Sequence, residues 1–209
     1  MKKILSLALA LCLCLGTVFT LASCDKGVNE DEWKAMLAAP NFENYTLSQS
    51  GPVTYVSGQM SKTSTQEFII KITADKVHLD AKIDGEVDQN KIYTGEEAAE
   101  QKKGYEEVFL AVLADFNNFT YNKDEKVYEN PNAVTVNLEY SSIGTGATAT
   151  VTMENGKVSL TEDGKLLKFT CHLTQTTTYT IPEVGEQSVT ATTDMTWQFS
   201  DYGTTAIAE

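Results

Sequence analysis

The chain has 209 residues, with 16 lysines, no arginine and 29 acidic side chains, for a net charge of −13. Nucleic-acid binding needs a basic footprint on phosphates, and planar phosphate recognition favours the guanidinium fork, so this composition excludes both classes. Four cysteines and two histidines leave little for metal or thiol chemistry.

The first element is a leader. Met1-Lys2-Lys3 is followed by an apolar run from Ile4 to Leu21 and then by Leu21-Ala22-Ser23-Cys24. A positive start, an apolar stretch and a small-residue cleavage site in that order read as an export signal. The last four residues resemble the lipobox of bacterial lipoproteins. That resemblance implies cleavage between Ser23 and Cys24, with a diacylglyceryl group on the Cys24 thiol. The competing reading is an uncleaved span, since about 18 apolar residues can just cross ~30 Å of hydrocarbon. The cysteine placed directly after Leu-Ala-Ser, with acidic residues at once behind it, favours cleavage.

Two acyl chains anchor stably where one is marginal. The expected location is therefore the outer face of the cytoplasmic membrane, or the periplasmic face of a membrane where the cell has two. Asp25, next to the lipid cysteine, resembles the retention signal that keeps some lipoproteins on the inner of two membranes. Cleavage removes Lys2 and Lys3, leaving 14 lysines against 29 acids, a net charge of −15 over residues 24–209. Residues 24–30 read as the lipidated cysteine and a short tether reaching at most ~3.5 Å per residue. Residues 31–209 read as one domain, which must work close to the lipid surface while its acidity repels it from anionic headgroups.

A short helix begins at Asn29, with Asn29 and Glu32 at capping-box spacing, Trp33, Met36 and Leu37 on one face, and Pro40 as a stop. Strands follow, alternating with period two. Phe68, Ile70 and Ile72 point one way, and Val77, Leu79, Ala81 and Ile83 alternate with His78, Asp80, Lys82 and Asp84. Asp84-Gly85 reads as a two-residue hairpin turn. Thr94-Gly95-Glu96-Glu97 reads as a second capping box opening the longest helix, whose stripe is Ala98, Tyr105, Val108, Phe109, Val112, Leu113 and Phe116.

Beyond it, Val134, Val136, Leu138 and Tyr140 alternate with polar residues. Asn155-Gly156 reads as another hairpin turn and Glu162-Asp163-Gly164-Lys165 as a third reversal. Two long final strands carry Leu167, Phe169, Cys171 and Leu173 in phase with Tyr179 and Ile181, then Val189, Ala191, Met195, Trp197 and Phe199, on their apolar sides. A faint echo links Asn41-Phe42-Glu43-Asn44-Tyr45-Thr46 to Asp115-Phe116-Asn117-Asn118-Phe119-Thr120, each placed where a helix hands over to strands.

The side chains offer little chemistry. Cys12 and Cys14 leave with the leader, and Cys171 keeps phase with Phe169 and Leu173 as a small buried hydrophobe. His78 and His172 fall on polar strand faces without metal-ligand spacing. Asp80, Asp84, Glu86 and Asp88 around one hairpin lack the spacing of a calcium loop and read as a solvated acidic turn. The Thr-rich runs Thr174–Thr178 and Thr190–Thr193 read as the water-facing side of strands, or as an edge for a partner strand. No nucleophile elbow, phosphate loop or dinucleotide fingerprint occurs. The chain is thus expected to be no enzyme and to use no cofactor and no metal.

About ten strands at ~4.8 Å spacing make a sheet nearly 50 Å wide, more than two helices of ~10 Å diameter can cover. The expected fold is α+β: a curled, unclosed antiparallel half-barrel of about ten strands wrapped around two main helices. It closes either on a filled core or on an apolar cavity. The lipobox, the early Trp-bearing helix, the Asn44-Tyr45-Thr46 strand entry, the turn-strand Asp75-Lys76-Val77-His78-Leu79-Asp80 and the ending Phe199-Ser200-Asp201-Tyr202-Gly203 before Ile207 together resemble envelope lipoproteins of the LolA, LolB and LppX/LprG-like fold. In that superfamily an apolar hollow carries lipid or acyl chains. The chain departs from the pattern in having no proline after Ile207 and no arginine for carrier-to-receptor contacts.

The resemblance implies a membrane-anchored protein binding a lipid or acyl chain, with Phe68, Ile70, Ile72, Leu79, Phe109, Trp197 and Phe199 as candidate cavity wall. The alternative is a non-enzymatic envelope interaction or structural module with a filled core, whose protein partner is unknown.

Overall fold

The computed structural model describes residues 27–38, 42–140, 147–181 and 183–207; the export signal expected over residues 1–23, with Ser23, and the expected lipidation site Cys24 and helix stop Pro40 lie outside them. Among the described residues, two α-helices, α1 (Glu30–Met36) and α2 (Gly95–Leu113), accompany ten strands. The first four are β1 (Tyr45–Ser57), β2 (Met60–Ile72), β3 (Lys76–Ile83) and β4 (Glu86–Thr94). After α2 and a 3₁₀ turn (Phe116–Asn118) come β5 (Thr120–Asn122), β6 (Val127–Asn130), β7 (Val134–Tyr140), β8 (Ala147–Leu160), β9 (Leu166–Ile181) and β10 (Gly185–Ser200). Neither helix is long and apolar enough to cross a membrane.

All pairings are antiparallel, in the order β4-β3-β2-β1-β10-β9-β8-β6-β5, with β7 also on β8. Two runs of consecutive hairpins are therefore joined at their long members β1 and β10. The sheet does not close. It curls around the helices as a half-barrel, and α2 packs on β3 and β4 and also reaches β7 across the trough. This is the α+β class that period-two alternation and two helical stripes predict, because strands apolar on one side must bend until that side is covered.

The inner face is read directly from the register. One row runs Ala81, Phe68, Gln49, Trp197, Phe169, Val158 and Tyr128 from β3 to β6. The next runs Leu79, Ile70, Leu47 and Phe199. Phe109 of α2 lies over both, with ring centroids 5.2 Å from Phe199, 5.9 Å from Phe42 and 6.3 Å from Trp197.

Helix α1 opens on the expected capping box: Glu32 N–H donates to Asn29 Oδ1 at 3.0 Å and Asn29 N–H to Glu32 Oε2 at 2.8 Å. Its Trp33 is fully buried, between Phe116, Phe119 and Tyr128, and donates its indole N–H to the Leu113 carbonyl at 2.8 Å. That bond satisfies one of the orphan carbonyls at the end of α2. The echoed segments are thus used crosswise: α1 packs on the Phe116–Phe119 pair, and α2 packs on Phe42, which meets Tyr45 edge-on.

Two expectations need correction. Asn155-Gly156 is not a hairpin turn, because β8 runs straight through it. The register against β9 slips between Glu154 and Lys157, Asn155 sits at φ 56°, and the pair forms a bulge. Asn-Gly tolerates the left-handed region wherever it is needed, and continuous pairing with β9 on both sides decides in favour of a bulge. Asp84-Gly85, at φ 53° and 83°, does make the two-residue hairpin between β3 and β4.

The second correction concerns Thr94, which precedes α2 without capping it through its side chain. Gly95 enters at φ +58° and its N–H donates to the Asp75 carbonyl at 3.3 Å, tying the helix start to the β2–β3 turn instead. Within residues 24–30, Val28 N–H donates to the Tyr128 hydroxyl and Asn29 caps α1.

Removing the joint between the helices is the sensitive perturbation. Trp33→Ala is expected to cost about 3–5 kcal/mol in urea unfolding, since it opens a cavity and frees the Leu113 carbonyl. A loss below about 1 kcal/mol, within the range of an ordinary surface change, would show that the helices are held by other means.

Candidate functional site

The seven residues expected to line a cavity are brought to one face of the sheet and to the helix above it. Ile72 and Phe109 have no exposed surface and Phe199 has 1 %, so these three are packed on every side. Ile70, Leu79 and Trp197 are buried with a little surface left, and Phe68 is half-buried at the rim. Trp197 stacks on Phe169 at 5.3 Å and 13°, with its indole N–H donating to Gln49 Oε1 at 3.1 Å.

Further from the helices the inner face turns polar and small. Ser64 and Thr193 are buried, the Thr193 hydroxyl donates to the Pro52 carbonyl at 2.8 Å, and Gln66 Nε2 donates to the Tyr55 hydroxyl. Buried Val53, Leu173 and Met153 stand beside them on the same face.

A concavity of about 500 Å³ lies outside the trough, between α2 and the β2–β3 turn. Its helical wall comes from spacing: Ala98, Lys102, Glu106 and Leu110 fall at i, i+4 along one ridge, and Ala99, Lys103 and Glu107 along the next. Thr73 and Ala74 form the opposite lip, held by Thr73 N–H to the Lys76 carbonyl at 2.9 Å and by Lys76 N–H to the Thr73 hydroxyl at 3.1 Å. Alanines, Leu110 and lysine stems make most of the lining apolar, with two ammonium and two carboxylate groups around it.

Glu106 is the unusual member. Its carboxylate accepts the Tyr45 hydroxyl at 3.1 Å and lies 3.9 Å from the Lys102 ammonium. Burial raises its pKa, and Lys102 and the Tyr45 hydrogen bond offset that only in part. Burial also pushes the Tyr45 hydroxyl far up, with the Glu106 charge adding to it, so Tyr45 stays protonated as the donor. Sequence reasoning missed this cluster. The Lys102/Glu106 helical spacing is legible, but Tyr45 is 61 residues away, and nothing local announces the pairing.

A smaller notch of about 300 Å³ sits where β6 gives way to β7 opposite the bulge, lined by Thr120, Asn130, Gly156 and Lys157 among others. Asn130 Oδ1 accepts the Asn132 N–H at 2.9 Å, while its Nδ2 has no protein acceptor.

The remaining candidates fall on the outer face. His78 contacts Asn90 at 3.3 Å and His172 contacts Asp194 at 2.8 Å, both on the polar side of their strands. Among the described residues no three His, Cys, Asp or Glu side chains gather as metal ligands. Asp84 is occupied with its own turn, accepting Thr65 N–H at 2.7 Å. The threonines form a continuous row across six strands: Thr63, Thr54, Thr192, Thr174, Thr152 and Thr135. Hydroxyl pairs at 2.9 Å (Thr54–Thr63) and 3.1 Å (Thr135–Thr152) lie within it. Cys171 is buried, and burial, helped by Asp194, raises its thiol to about 12. No family model matches the chain, and no curated protein is significantly similar to it.

Two measurements check these assignments. Because the folded state raises the Glu106 pKa above its ordinary value near 4.5, the folded protein binds more protons than the unfolded chain just above that value. Stability is therefore expected to fall as pH rises through that window. Glu106→Gln should flatten that part of the pH profile, and an unchanged profile would remove Glu106 from consideration. Cys171 should resist alkylation at pH 8 in the folded protein and react once the chain is unfolded in urea, since the thiolate is the nucleophile.

Proposed function

We propose that the chain is a lipid-anchored extracytoplasmic protein whose domain binds an apolar ligand along the outer side of α2, without catalysis. The anchoring rests on the leader and on the Leu21-Ala22-Ser23-Cys24 motif. It places the domain on the outer face of the cytoplasmic membrane, or facing the periplasm. The resemblance to the LolA, LolB and LppX/LprG-like proteins supports a lipid or acyl chain as the ligand class. The observation that carries the choice of site is the contrast between Ile72, Phe109 and Phe199, packed on every side within the trough, and the groove of about 500 Å³ beside α2. That volume lies within the range of small-molecule sites, and its lysine ammoniums suit the anionic end of a fatty acid.

A second reading, an interaction module of the envelope, is favoured by β4. This strand ends the sheet, all of its residues from Glu86 to Ile92 are exposed, and Val87 and Ile92 are 66 % and 38 % accessible. Such an edge can pair with an extended segment of another protein.

A fluorescent fatty-acid analogue distinguishes the readings. Saturable binding is expected, lost when Ala99→Trp fills the groove and retained in Phe68→Ala at the trough's rim. The opposite pattern would return the ligand to the sheet interior. No uptake, together with recovery of a stoichiometric protein partner from membranes that Val87→Asp abolishes, would leave the interaction module standing.

A further inference from the structure

The point at which the chain enters the domain is clamped. Gly27 has φ +70°, and a side-chain carbon there would come within 2.6 Å of the Tyr128 hydroxyl and 2.9 Å of the Tyr121 ring. Glycine alone fits both that backbone conformation and that close approach. Val28 N–H donates to the same Tyr128 hydroxyl, the two tyrosine rings lie 5.0 Å apart, and Trp33 backs Tyr128 at 5.1 Å. Gly27 and Val28 are thus held against the β5–β6 corner, and the next residue, Asn29, already caps α1.

Only Asp25 and Lys26 separate Gly27 from Cys24. At ~3.5 Å per residue, a lipid on Cys24 enters the bilayer within about 10 Å of that corner. At the other extreme, β9 runs from Phe169, level with Tyr128 in the register, to Ile181 at the β9–β10 tip. That path is roughly 40 Å at ~3.3 Å per residue.

We infer that the β5–β6 corner is the surface this domain turns to the lipid bilayer, and that the Gly27–Tyr128 clamp holds it in that pose. The inference rests on the anchoring reading above. It goes beyond it, because a lipoprotein on a loose tether would tumble over its membrane. The length of chain outside the described residues and the place where it ends select the lipid surface as the occupant of this corner. The exposed Val56, Met60, Ile181 and Val184 of the two neighbouring hairpin tips are held away from the membrane.

The test uses the full-length lipidated protein in vesicles of zwitterionic phospholipid containing a spin-labelled headgroup lipid. A fluorophore is attached at Lys123→Cys in the β5–β6 turn or at Val184→Cys at the far tip, in a Cys171→Ala background. Quenching is expected to be several-fold stronger at position 123 than at 184. Gly27→Ala, and separately four Gly-Ser residues inserted between Lys26 and Gly27, should bring the two positions close to equal while membrane binding is unchanged. The insertion leaves the clamp residues untouched, so it remains informative should Gly27→Ala unfold. Equal quenching in the unaltered, lipidated protein overturns the pose and leaves the anchoring intact. Absence of the diacylglyceryl mass on Cys24, read separately by mass spectrometry, overturns the anchoring and the pose together.

Discussion

Phe109 is the residue on which the closed trough depends. It sits on the inner side of α2, without exposed surface, against Phe42, Trp197 and Phe199. Through it the helix covers the aromatic row of the curled sheet, while Trp33 fixes the helix end through the Leu113 carbonyl. Rings packed at these distances gain dispersion and quadrupole contacts beyond their burial. Displacing α2 to admit a ligand would forfeit them together. That is why a site on the outward side of the same helix is a more economical reading than one beneath it.

The pattern of the sequence carries the architecture well and the site poorly, for a physical reason that particular residues make clear. Alternation places Ile70, Ile72, Leu79 and Trp197 on one face, and their burial follows from side-chain period alone. Asp84-Gly85 and Asn155-Gly156 look alike locally, yet one reverses the chain and the other bends a strand, because only long-range pairing with β9 distinguishes them. Whether the seven wall residues enclose space or fill it depends on summed volumes across eight strands and a helix, which no local signal reports. The Tyr45–Glu106 contact joins distant parts of the chain by the same kind of coincidence.

Charge and hydroxyl chemistry are divided just as sharply between the two sides of the sheet. The outer side is a polar carpet of Thr, Ser, Gln and paired charges, including Lys157 between Glu125 at 2.8 Å and Glu129 at 2.9 Å. These exposed pairs are screened and add little to stability. Their effect is on solubility: an acidic outer surface with hydrated hydroxyls keeps neighbouring copies of the domain apart.

The bulge at Asn155-Gly156 has a consequence for the long strand that carries it. By kinking β8 it lets two short partners, β6 and β7, share one side of that strand end to end. A foreign chain that tried to extend the sheet there would meet a broken rail: three residues of β5, a change of direction at Pro131, then seven residues of β7. Templated growth needs an unbroken line of free amides and carbonyls, so this flank is guarded against runaway stacking. Recruitment of another strand is left to the opposite flank.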